Sequence, residues 1–342
     1  MTNDQRRVLL GFSGGMDSVT AVGRLRDDGY DVVALTIDMI GDGAMIDRAR
    51  DRAAQIGVEW HVYDARAEFK HSVIDYFVDE YCLGRTPAPC TRCNTTIKWR
   101  ILERCADEMN IWHIATGHYF NICRRGELSY VAMADDRSKD QSYYLWGLSQ
   151  QVLRRAVTPM GGVYKSDVRR NFADKSESMG ICFLRGERYG DYIRRRTTRF
   201  ACGDIVDMAG HVVGRHAGIP FYTIGQRRGD GIPDGLCVTG IDAEANRLIV
   251  GNKNDLYYST VYVAGCNVVD REELLSAGDV TIKIRGIGRN PQLPVEVFAV
   301  GNCEAEYGVR CADPVWAPAV GQPVVFYRDD RVIGGGVIAA FR

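Results

Sequence analysis

One strand–turn–helix passage near the N-terminus constrains the fold of this chain more than any other feature. Residues 9–22 read LLGFSGGMDSVTAV, in which a hydrophobic run stops at SGG and a helix-like segment follows. The glycines allow a tight turn and a close approach to a ligand, and the free N–H groups of the helix attract anions. The lysine of the common nucleotide loop GxxxxGK(S/T) is missing. Asp17 repels phosphate unless a cation lies between them, so the pattern predicts pyrophosphate held by backbone, serine and Mg²⁺.

The first 120 residues alternate between strand-like and helix-like runs, beginning with RVLLGF and DSVTAVGRLRDDG. Such alternation predicts a parallel sheet with helices on both faces. A later run, NTTIKWRILERCADEMN, predicts a helix opened by Asn94. Ligands of parallel sheets bind beyond the carboxyl ends of the strands. Those ends carry GFSGGMDS, TIDM and ATGHY, so we expect the three to converge on one site.

The sequence pattern changes after about residue 197. Short β-rich runs with glycine turns predominate from there, as in DIVDMAGHVVG and VVFYRDDRVIGGGVIAAF. Alternation with close turns is typical of small all-β modules and barrels. We therefore predict three domains: an α/β domain with a parallel sheet over residues 1–197, a small β domain over 198–257, and a C-terminal β-barrel over 258–342.

Composition narrows the class of protein. Of the 342 residues, 46% are apolar and 25% are charged, which is ordinary for a globular protein. No apolar run reaches about 18 residues and the N-terminus lacks signal-peptide features, so we expect a cytoplasmic protein with no membrane span.

The 11 cysteines indicate metal or catalytic use rather than structural disulfides. The net charge of −1 leaves nucleic-acid binding to local patches. One candidate is YIRRRTTRF at residues 192–200, which is otherwise a solvated helix face.

Four further stretches carry the chemistry: GRTPAPCTRCNTTIKW, ATGHYF, KDQSYYLWGLS and ESMGICFLRGERYGDYI. They follow SGGMDS in order along the chain. Together with GQRRG and the terminal GGGVI, they resemble the tRNA-specific 2-thiouridylases, a family of the PP-loop ATP pyrophosphatase superfamily. The resemblance implies a PP-loop, adenine nucleotide alpha hydrolase-like fold for the first domain.

The resemblance also implies an activity, the ATP-dependent 2-thiolation of the wobble uridine, U34, of tRNA. ATP, with Mg²⁺, would adenylate the C2 oxygen of the uridine and convert it into a good leaving group. A sulfur nucleophile would then attack C2 and expel AMP. The implied partners are tRNA, bound through its anticodon stem-loop, and a sulfur-donor protein or sulfide.

Two cysteines match the sulfur-transfer positions of the family. Cys182, in GICF, matches the persulfide carrier, and Cys93, in CTRC, matches the partner called the nucleophile. In the family the partner releases the sulfur by forming a disulfide with the carrier, so at least one loop has to move. Both cysteines would react as thiolates.

The resemblance assigns further residues to the nucleotide and to tRNA. The nucleotide residues, among which Asp17 also serves Mg²⁺ indirectly, lie at SGGMDS and the neighbouring strand ends: Gly11, Phe12, Ser13, Gly14, Gly15, Met16, Asp17, Ser18, Ile37 and Gly117. The residues assigned to tRNA are Ala88, Pro89, Cys90, His118, Lys139, Asp140, Gln141, Arg285, Gly286 and Gln322.

Cys90 departs from the family pattern, because many members have an aspartate there, in D-x-x-C, that can serve as a general acid or base. Cys90, Cys93 and Cys182 instead supply three thiols, which resembles the 4Fe–4S sites of other tRNA-thiolating PP-loop enzymes. The persulfide route is favoured and the cluster route stays open. Two other classes stay open as well: a PP-loop ligase or amidotransferase-like enzyme acting on a small molecule, and a non-catalytic tRNA-binding protein.

Overall fold

The computed structural model of the chain describes residues 6–170, 172, 180–286, 289–301 and 305–342. The chain divides into two compact units. The first comprises Met1–Val73, Cys90–Ser178 and Asp330–Ile333, and the second comprises Ile74–Pro89, Met179–Asp329 and Gly334–Arg342. The three-domain limits at residues 197 and 257 stay a prediction.

The described helices are mostly short, and two π-helical segments, Lys70–Asp75 and Asn94–Lys98, continue the α-helices on either side of them. In chain order the described α-helices are α1 Met16–Asp27, α2 Gly43–Gln55, α3 Arg66–Phe69, α4 Tyr76–Cys82, α5 Pro89–Cys93, α6 Trp99–Glu108, α7 Gln150–Arg155, α8 Lys165–Arg170, α9 Tyr189–Arg196 and α10 Arg271–Ser276. Within the described residues, no helix is both long enough and apolar enough to cross a membrane.

The described strands form a parallel sheet and an antiparallel hairpin in the first unit, and mostly antiparallel pairs with one parallel pair in the second. They are β1 Arg7–Gly11, β2 Asp31–Asp38, β3 Glu59–Asp64, β4 His113–Thr116, β5 Asn121–Arg125, β6 Leu128–Ala132, β7 Ala156–Val157, β8 Gly203–Val206, β9 Val212–His216, β10 Cys237–Asp242, β11 Arg247–Gly251, β12 Tyr257–Val268, β13 Thr281–Lys283, β14 Val295–Ala299, β15 Tyr307–Trp316, β16 Pro323–Arg328 and β17 Arg331–Phe341.

The first unit is built on a five-stranded sheet of order β3-β2-β1-β4-β7, and its strand pairs are parallel, as predicted. Three consecutive residues of β1, Val8, Leu9 and Leu10, are fully buried. A strand that buries both of its faces reads as a continuous apolar run rather than an alternating one. The register places Gly11 opposite both Leu35 and Thr116, so β1, β2 and β4 end at the same edge.

The helix that carries CTRC begins earlier than the sequence predicted. It starts at Pro89, and Asn94 lies in the π-helical segment between α5 and α6. Proline suits the first helical position because its missing N–H would have no partner there. Asn94 is buried, and its amide donates to the carbonyl of Tyr144 at 3.2 Å instead of capping a helix. The prediction that Asn94 opens this helix is therefore wrong.

An antiparallel hairpin, β5–β6, follows ATGHYF in the first unit and was not predicted. The side chain of Gln150 fixes its second strand, because it accepts from the Ser129 N–H at 2.9 Å and donates to the Ser129 carbonyl at 2.8 Å. At the end of that strand, Ala132 pairs with Arg331, which belongs to the first unit despite its distance in sequence.

The second unit is largely β-structure. A four-stranded sheet of order β10-β11-β8-β9 forms one part, and the strands β13-β16-β17-β12-β15-β14 form another. The Val295 N–H of β14 donates to the carbonyl of Val280, the residue before β13, at 2.7 Å, so the two ends of the second set meet, as expected for the predicted C-terminal barrel. Its interior contains fully buried apolar side chains such as Val261, Val309 and Phe326.

Arg155 ties α7 to the start of β4 and generates a stability prediction. Its guanidinium donates to the carbonyls of Ile111 and Trp112 at 3.1 and 2.9 Å and forms an ion pair with Asp107 at 2.8 Å, while only 3% of the side chain is exposed. We expect Arg155→Met to lower the free energy of unfolding by about 3 kcal/mol, because buried carbonyls and a carboxylate lose their donor. Urea unfolding followed by tryptophan fluorescence measures this, since Trp112 lies beside Arg155.

The matched control is Arg154→Met, one residue earlier on the exposed side of the same helix. We expect it to change the free energy of unfolding by less than about 0.5 kcal/mol. Equal unfolding midpoints for the two variants would show that Arg155 does not anchor β4.

Candidate functional site

The SGGMDS turn has the geometry of an anion site. Gly14 has a φ of 71°, and a Cβ on it would lie 2.8 Å from the Cα of Ala49, so the turn requires glycine there. Gly15 precedes α1 in an extended conformation and makes no side-chain cap. The first N–H groups of α1 therefore lack a capping side chain and are suited to phosphate oxygens.

Two serines line this turn. The hydroxyl of Ser18 donates to the Gly15 carbonyl at 3.0 Å, and its oxygen lies 3.3 Å from the hydroxyl oxygen of Ser13. Ser18 is buried, whereas Ser13 is exposed. Because the Ser18 proton goes to the Gly15 carbonyl, Ser13 is the donor in the contact between the two hydroxyls, and the pair braces the turn from inside.

The predicted convergence of the strand ends on this turn is present. Gly117 follows β4, and a Cβ on it would lie 3.2 Å from the Ser18 nitrogen, so the ATGHY segment passes directly over the start of α1. The Thr36 hydroxyl of β2 donates to the Phe12 carbonyl at 2.8 Å. Other residues assigned to the nucleotide lie at the ends of the neighbouring elements: Gly11 ends β1, Met16 begins α1, and Ile37 is half-buried near the end of β2.

A lysine does reach the turn, but it comes from 148 residues further along the chain. The Lys165 ammonium at the start of α8 donates to Oδ1 of Asp17 at 2.6 Å. The Lys165 side chain is 5% exposed and the Asp17 side chain 36%. A buried ammonium requires such a partner, because losing its water shell is costly. Sequence analysis missed Lys165, since KSDVRR has no motif that marks it as a ligand residue.

Tyr119 and Asp136 hold the ion pair in place. The Tyr119 hydroxyl also donates to Oδ1 of Asp17, at 2.7 Å, and the Lys165 nitrogen lies 5.6 Å from the centre of the Tyr119 ring. The Lys165 N–H donates to the Asp136 carboxylate at 3.0 Å. Hydrogen bonds from Ser138 and then from this N–H lower the pKa of Asp136, so the carboxylate stays ionised as an acceptor.

Two of the residues assigned to tRNA make internal hydrogen bonds beside this cluster. The Asp140 carboxylate accepts from the Ala134 N–H and from the N–H and hydroxyl of Ser142. The Gln141 side-chain oxygen accepts from the Tyr119 N–H at 2.9 Å. Lys139, the third of the group, is half-exposed. The segment is therefore built into the first unit as well as being a candidate tRNA contact.

The two cysteines of CTRC differ in exposure. Cys93 is buried, and its thiol donates to the sulfur of Met39 at 3.7 Å. Met39 directly follows β2. This contact places Cys93 at the same edge of the sheet as the SGGMDS turn. Cys90, one turn earlier, is exposed. Burial and then the nearby Cys90 raise the pKa of Tyr144.

Cys182 belongs to the second unit and is exposed on a short 3₁₀ turn, Cys182–Leu184. The next residue anchors the turn: the Phe183 ring lies 5.2 Å from the Phe77 ring and 5.3 Å from the Tyr192 ring. Arg185 then adopts a left-handed φ of 48°, which ends the turn sharply. Residues 177–179 of the same motif lie outside the described residues.

His118 is half-buried just after β4. Burial and then the nearby ammonium of Lys98 lower its pKa to about 3. A hydrogen bond of 2.8 Å joins its Nδ1 to the Thr116 hydroxyl. The imidazole is thus held at the end of β4 as a hydrogen-bonding group without charge at neutral pH.

The remaining residues assigned to tRNA lie in the second unit. The Arg285 guanidinium donates to the carbonyls of Trp316 and Ala317 at 3.1 and 2.6 Å, and the Gln322 side chain accepts from the Ala319 N–H. Both side chains therefore brace barrel loops. The others are half-buried Ala88, buried Pro89 and exposed Gly286.

The arginine-rich stretch at residues 192–200 is partly neutralised. Arg195 forms an ion pair with Glu187, and Arg199 forms one with Asp79. The Arg194 guanidinium lies 3.7 Å from the centre of the Phe221 ring, in a cation–π contact. The stretch is thus neither a uniform basic patch nor a wholly solvated face.

No disulfide joins the described cysteines, and no group of three or more His, Cys, Asp or Glu side chains in the described part of the chain is arranged to hold a metal ion.

Comparison with known proteins shows matches to known domain families along nearly the whole chain. Models of consecutive domains match it: a tRNA methyl transferase HUP domain at residues 6–186, a tRNA methyl transferase PRC-barrel domain at 191–252, and an aminomethyltransferase beta-barrel domain at 259–338. These matches agree with the order expected from the sequence, an α/β domain followed by a small β domain and a β-barrel.

Relatives from several bacteria match over almost their full length. The tRNA-specific 2-thiouridylase MnmA 1 of Bacteroides fragilis is 38% identical over 362 residues, covering 99% of this chain and 98% of the relative. MnmA of Chlorobium luteolum is 36% identical, covering 99% and 97%, and MnmA of Geobacter metallireducens is 37% identical, covering 98% and 97%. The chain therefore belongs to the family of MnmA-type tRNA-specific 2-thiouridylases.

Proposed function

We propose that the cluster of Asp17, Lys165 and Tyr119 binds ATP for the adenylation step of tRNA 2-thiouridine formation, the reaction of this family. The observation that carries the proposal is the Lys165–Asp17 contact in a turn whose helix N-terminus has no capping side chain. Backbone N–H groups, a hydroxyl and an ammonium together supply the donors that pyrophosphate requires. The family match over the whole chain favours tRNA as substrate over a small molecule, and an active enzyme over a non-catalytic tRNA-binding protein.

The chemistry follows from these groups. The C2 oxygen of the wobble uridine attacks the α-phosphorus of ATP, and pyrophosphate leaves from the SGGMDS turn. Negative charge develops on the leaving pyrophosphate, where the α1 N-terminus and Lys165 can stabilise it. Asp17 fits Mg²⁺, which binds through one or two carboxylates together with phosphate oxygens and water, because its side chain is 36% exposed. Bound Mg²⁺ would neutralise phosphate charge. A cytoplasmic location, where tRNA is found, is part of the proposal.

Replacing the lysine tests the ATP site. We expect Lys165→Met to slow tRNA-dependent ATP–pyrophosphate exchange by about 100-fold, since an electrostatic contact to the leaving group is lost from a water-poor site. Binding of tRNA, measured by filter retention, should stay within about two-fold of wild type because Lys165 is not among the residues assigned to tRNA. Asp17→Asn should also stop exchange, because it leaves a buried ammonium without its carboxylate.

The matched control is Arg170→Met, on the same short helix, whose side chain is 77% exposed and forms an ion pair with Asp167. It should exchange at the wild-type rate. If Lys165→Met behaved like this control, the phosphate role of Lys165 would be rejected.

For the sulfur step we propose the persulfide route. The terminal sulfur of a Cys182 persulfide attacks C2 of the adenylated uridine and expels AMP, leaving C2 joined to Cys182 through two sulfurs. The Cys93 thiolate then attacks the Cys182 sulfur, a Cys93–Cys182 disulfide forms, and the released sulfur stays on C2 as 2-thiouridine. A two-electron thiol reductant and a sulfur donor restore the starting state. The exposure of Cys182 suits loading by a donor, and the burial of Cys93 suits protection of the resolving thiol.

Cysteine substitutions test this route. We expect Cys93→Ser and Cys182→Ser each to reduce thiolation of tRNA more than ten-fold, a barrier change above about 1.4 kcal/mol, with tRNA affinity unchanged. Quantification of 2-thiouridine by mass spectrometry gives the first value and filter binding the second.

Two further variants sharpen the test. Cys202→Ser removes another exposed thiol of the second unit and should be silent. Cys90→Asp restores the commoner D-x-x-C pattern and should stay active under the persulfide route. If Cys90→Asp lost both its activity and the absorbance near 400 nm, the result would instead favour a 4Fe–4S cluster on Cys90, Cys93 and Cys182. A carboxylate is a poor ligand for such a cluster.

We propose that His118 meets tRNA as a neutral imidazole. Its pKa is about 3 in the folded chain, below the ordinary value of 6.5, because burial disfavours the charged form. The unfolded chain therefore takes up a proton that the folded chain does not, and stability falls as the pH drops from about 6.5 towards 3.

A substitution without a titrating group removes this effect. The free energy of unfolding of wild type should fall between pH 8 and pH 5, and the fall should be about 2 kcal/mol smaller in His118→Gln. Urea unfolding at the two pH values measures this difference. His71→Gln, at an exposed histidine of the same unit, is the control and should follow wild type. Parallel pH profiles for His118→Gln and wild type would contradict a neutral imidazole at this half-buried position.

A further inference from the structure

We propose that residues 136–142, called here the brace segment, couple tRNA binding to the ATP site, with Gln141 as the positioning residue. The proposal rests on the proposed function of Asp17 and Lys165 in ATP binding. It adds that a segment expected to contact tRNA also determines where the Asp17 partners lie.

Gln141 holds Tyr119 through two hydrogen bonds. Its side-chain oxygen accepts from the Tyr119 N–H at 2.9 Å, and its own N–H donates to the Tyr119 carbonyl at 2.8 Å. Both polar groups of the Tyr119 backbone are therefore bound by one residue. A displacement of Gln141 is transmitted directly to the Tyr119 backbone.

Tyr119 carries that displacement to the phosphate turn. Only 3% of its surface is exposed, so its ring has little room to move independently of its backbone. Its hydroxyl is 2.7 Å from the same Asp17 oxygen that Lys165 contacts. Moving Tyr119 therefore changes the hydrogen bonding of the carboxylate that positions the ammonium.

A second path runs from the brace segment to Lys165. The Asp136 carboxylate accepts from the Lys165 N–H at 3.0 Å and from the Ser138 hydroxyl at 2.6 Å. The Lys139 N–H donates to the Asp136 carbonyl at 3.0 Å. Both ends of the segment thus contact the ATP cluster, one through Lys165 and the other through Tyr119.

Lys139 lies between these two contacts and is half-exposed, so a tRNA phosphate can reach its side chain from solvent. If tRNA holds the brace segment in one position, it holds Tyr119 and Lys165 as well. By thermodynamic linkage, ATP must then tighten tRNA binding by the same factor by which tRNA tightens ATP binding. The coupling would favour ATP binding when the acceptor of the adenylyl group is present.

The test measures this factor directly. The dissociation constant of a non-hydrolysable ATP analogue is measured by calorimetry with and without a saturating anticodon stem-loop RNA. For wild type we expect the RNA to tighten the analogue at least about five-fold, a typical coupling. Gln141→Met, of similar size but without the acceptor, should bring the factor close to one, whatever its effect on RNA affinity without nucleotide.

Two further variants separate positioning from simple structural damage. Gln141→Glu keeps an acceptor oxygen and should restore the coupling. Tyr119→Phe keeps the ring, removes the hydroxyl and should abolish the coupling by itself. If Gln141 acts through Tyr119, adding Gln141→Met to Tyr119→Phe should change nothing more, in a double-mutant cycle.

The outcomes are distinct. If Gln141→Met weakens RNA binding and leaves the coupling intact, Gln141 is only an RNA contact and the proposal is overturned. The same holds if the Gln141→Met effect persists in full on the Tyr119→Phe background. A wild-type protein that binds the RNA but no nucleotide would contradict the proposed ATP site itself, together with the coupling that rests on it.

Discussion

The contact between the Lys165 ammonium and the Asp17 carboxylate is the interaction on which the first unit's site depends. The ammonium is 5% exposed, so it cannot exchange its partner for water at low cost. The contact therefore fixes the start of α8 against the start of α1, 148 residues away. Every loop between them has to accommodate that closure, including the segment that carries Asp136 and Gln141.

The two cysteines proposed for sulfur transfer belong to different units. Cys93 is buried at the edge where β1, β2 and β4 end, whereas Cys182 is exposed on a short turn of the second unit. Under the persulfide route the exposed thiol collects sulfur from a donor and the buried thiol completes its release. Under this route, burial protects Cys93 from oxidation between turnovers, because the oxidation of a thiol depends on its access to solvent.

The fold and the SGGMDS turn could be predicted from the sequence because their signals are local. Alternating strand and helix runs predict the parallel sheet, and SGG before a helix predicts the anion site. Lys165 could not be found in this way, since its role depends on a contact that only the folded chain creates. The same holds for Gln141, because the KDQ motif does not indicate that this side chain binds the Tyr119 backbone. The prediction for Asn94 was wrong because asparagine often caps helices, whereas the helix that carries CTRC begins at Pro89.

The π-helical turn directly after Cys93 has a consequence for how this family member can evolve. A π turn is equivalent to one residue inserted into an α-helix, and each residue rotates a helix by about 100°. Here the inserted residue sets the rotation of α5, which carries Cys93, relative to α6, which keeps Trp99, Leu102 and Cys105 in the core. Loss of a single codon within Asn94–Lys98 would restore a regular helix and turn Cys93 away from Met39 and the sheet edge. The length of this five-residue segment thus sets the direction of Cys93 independently of core packing.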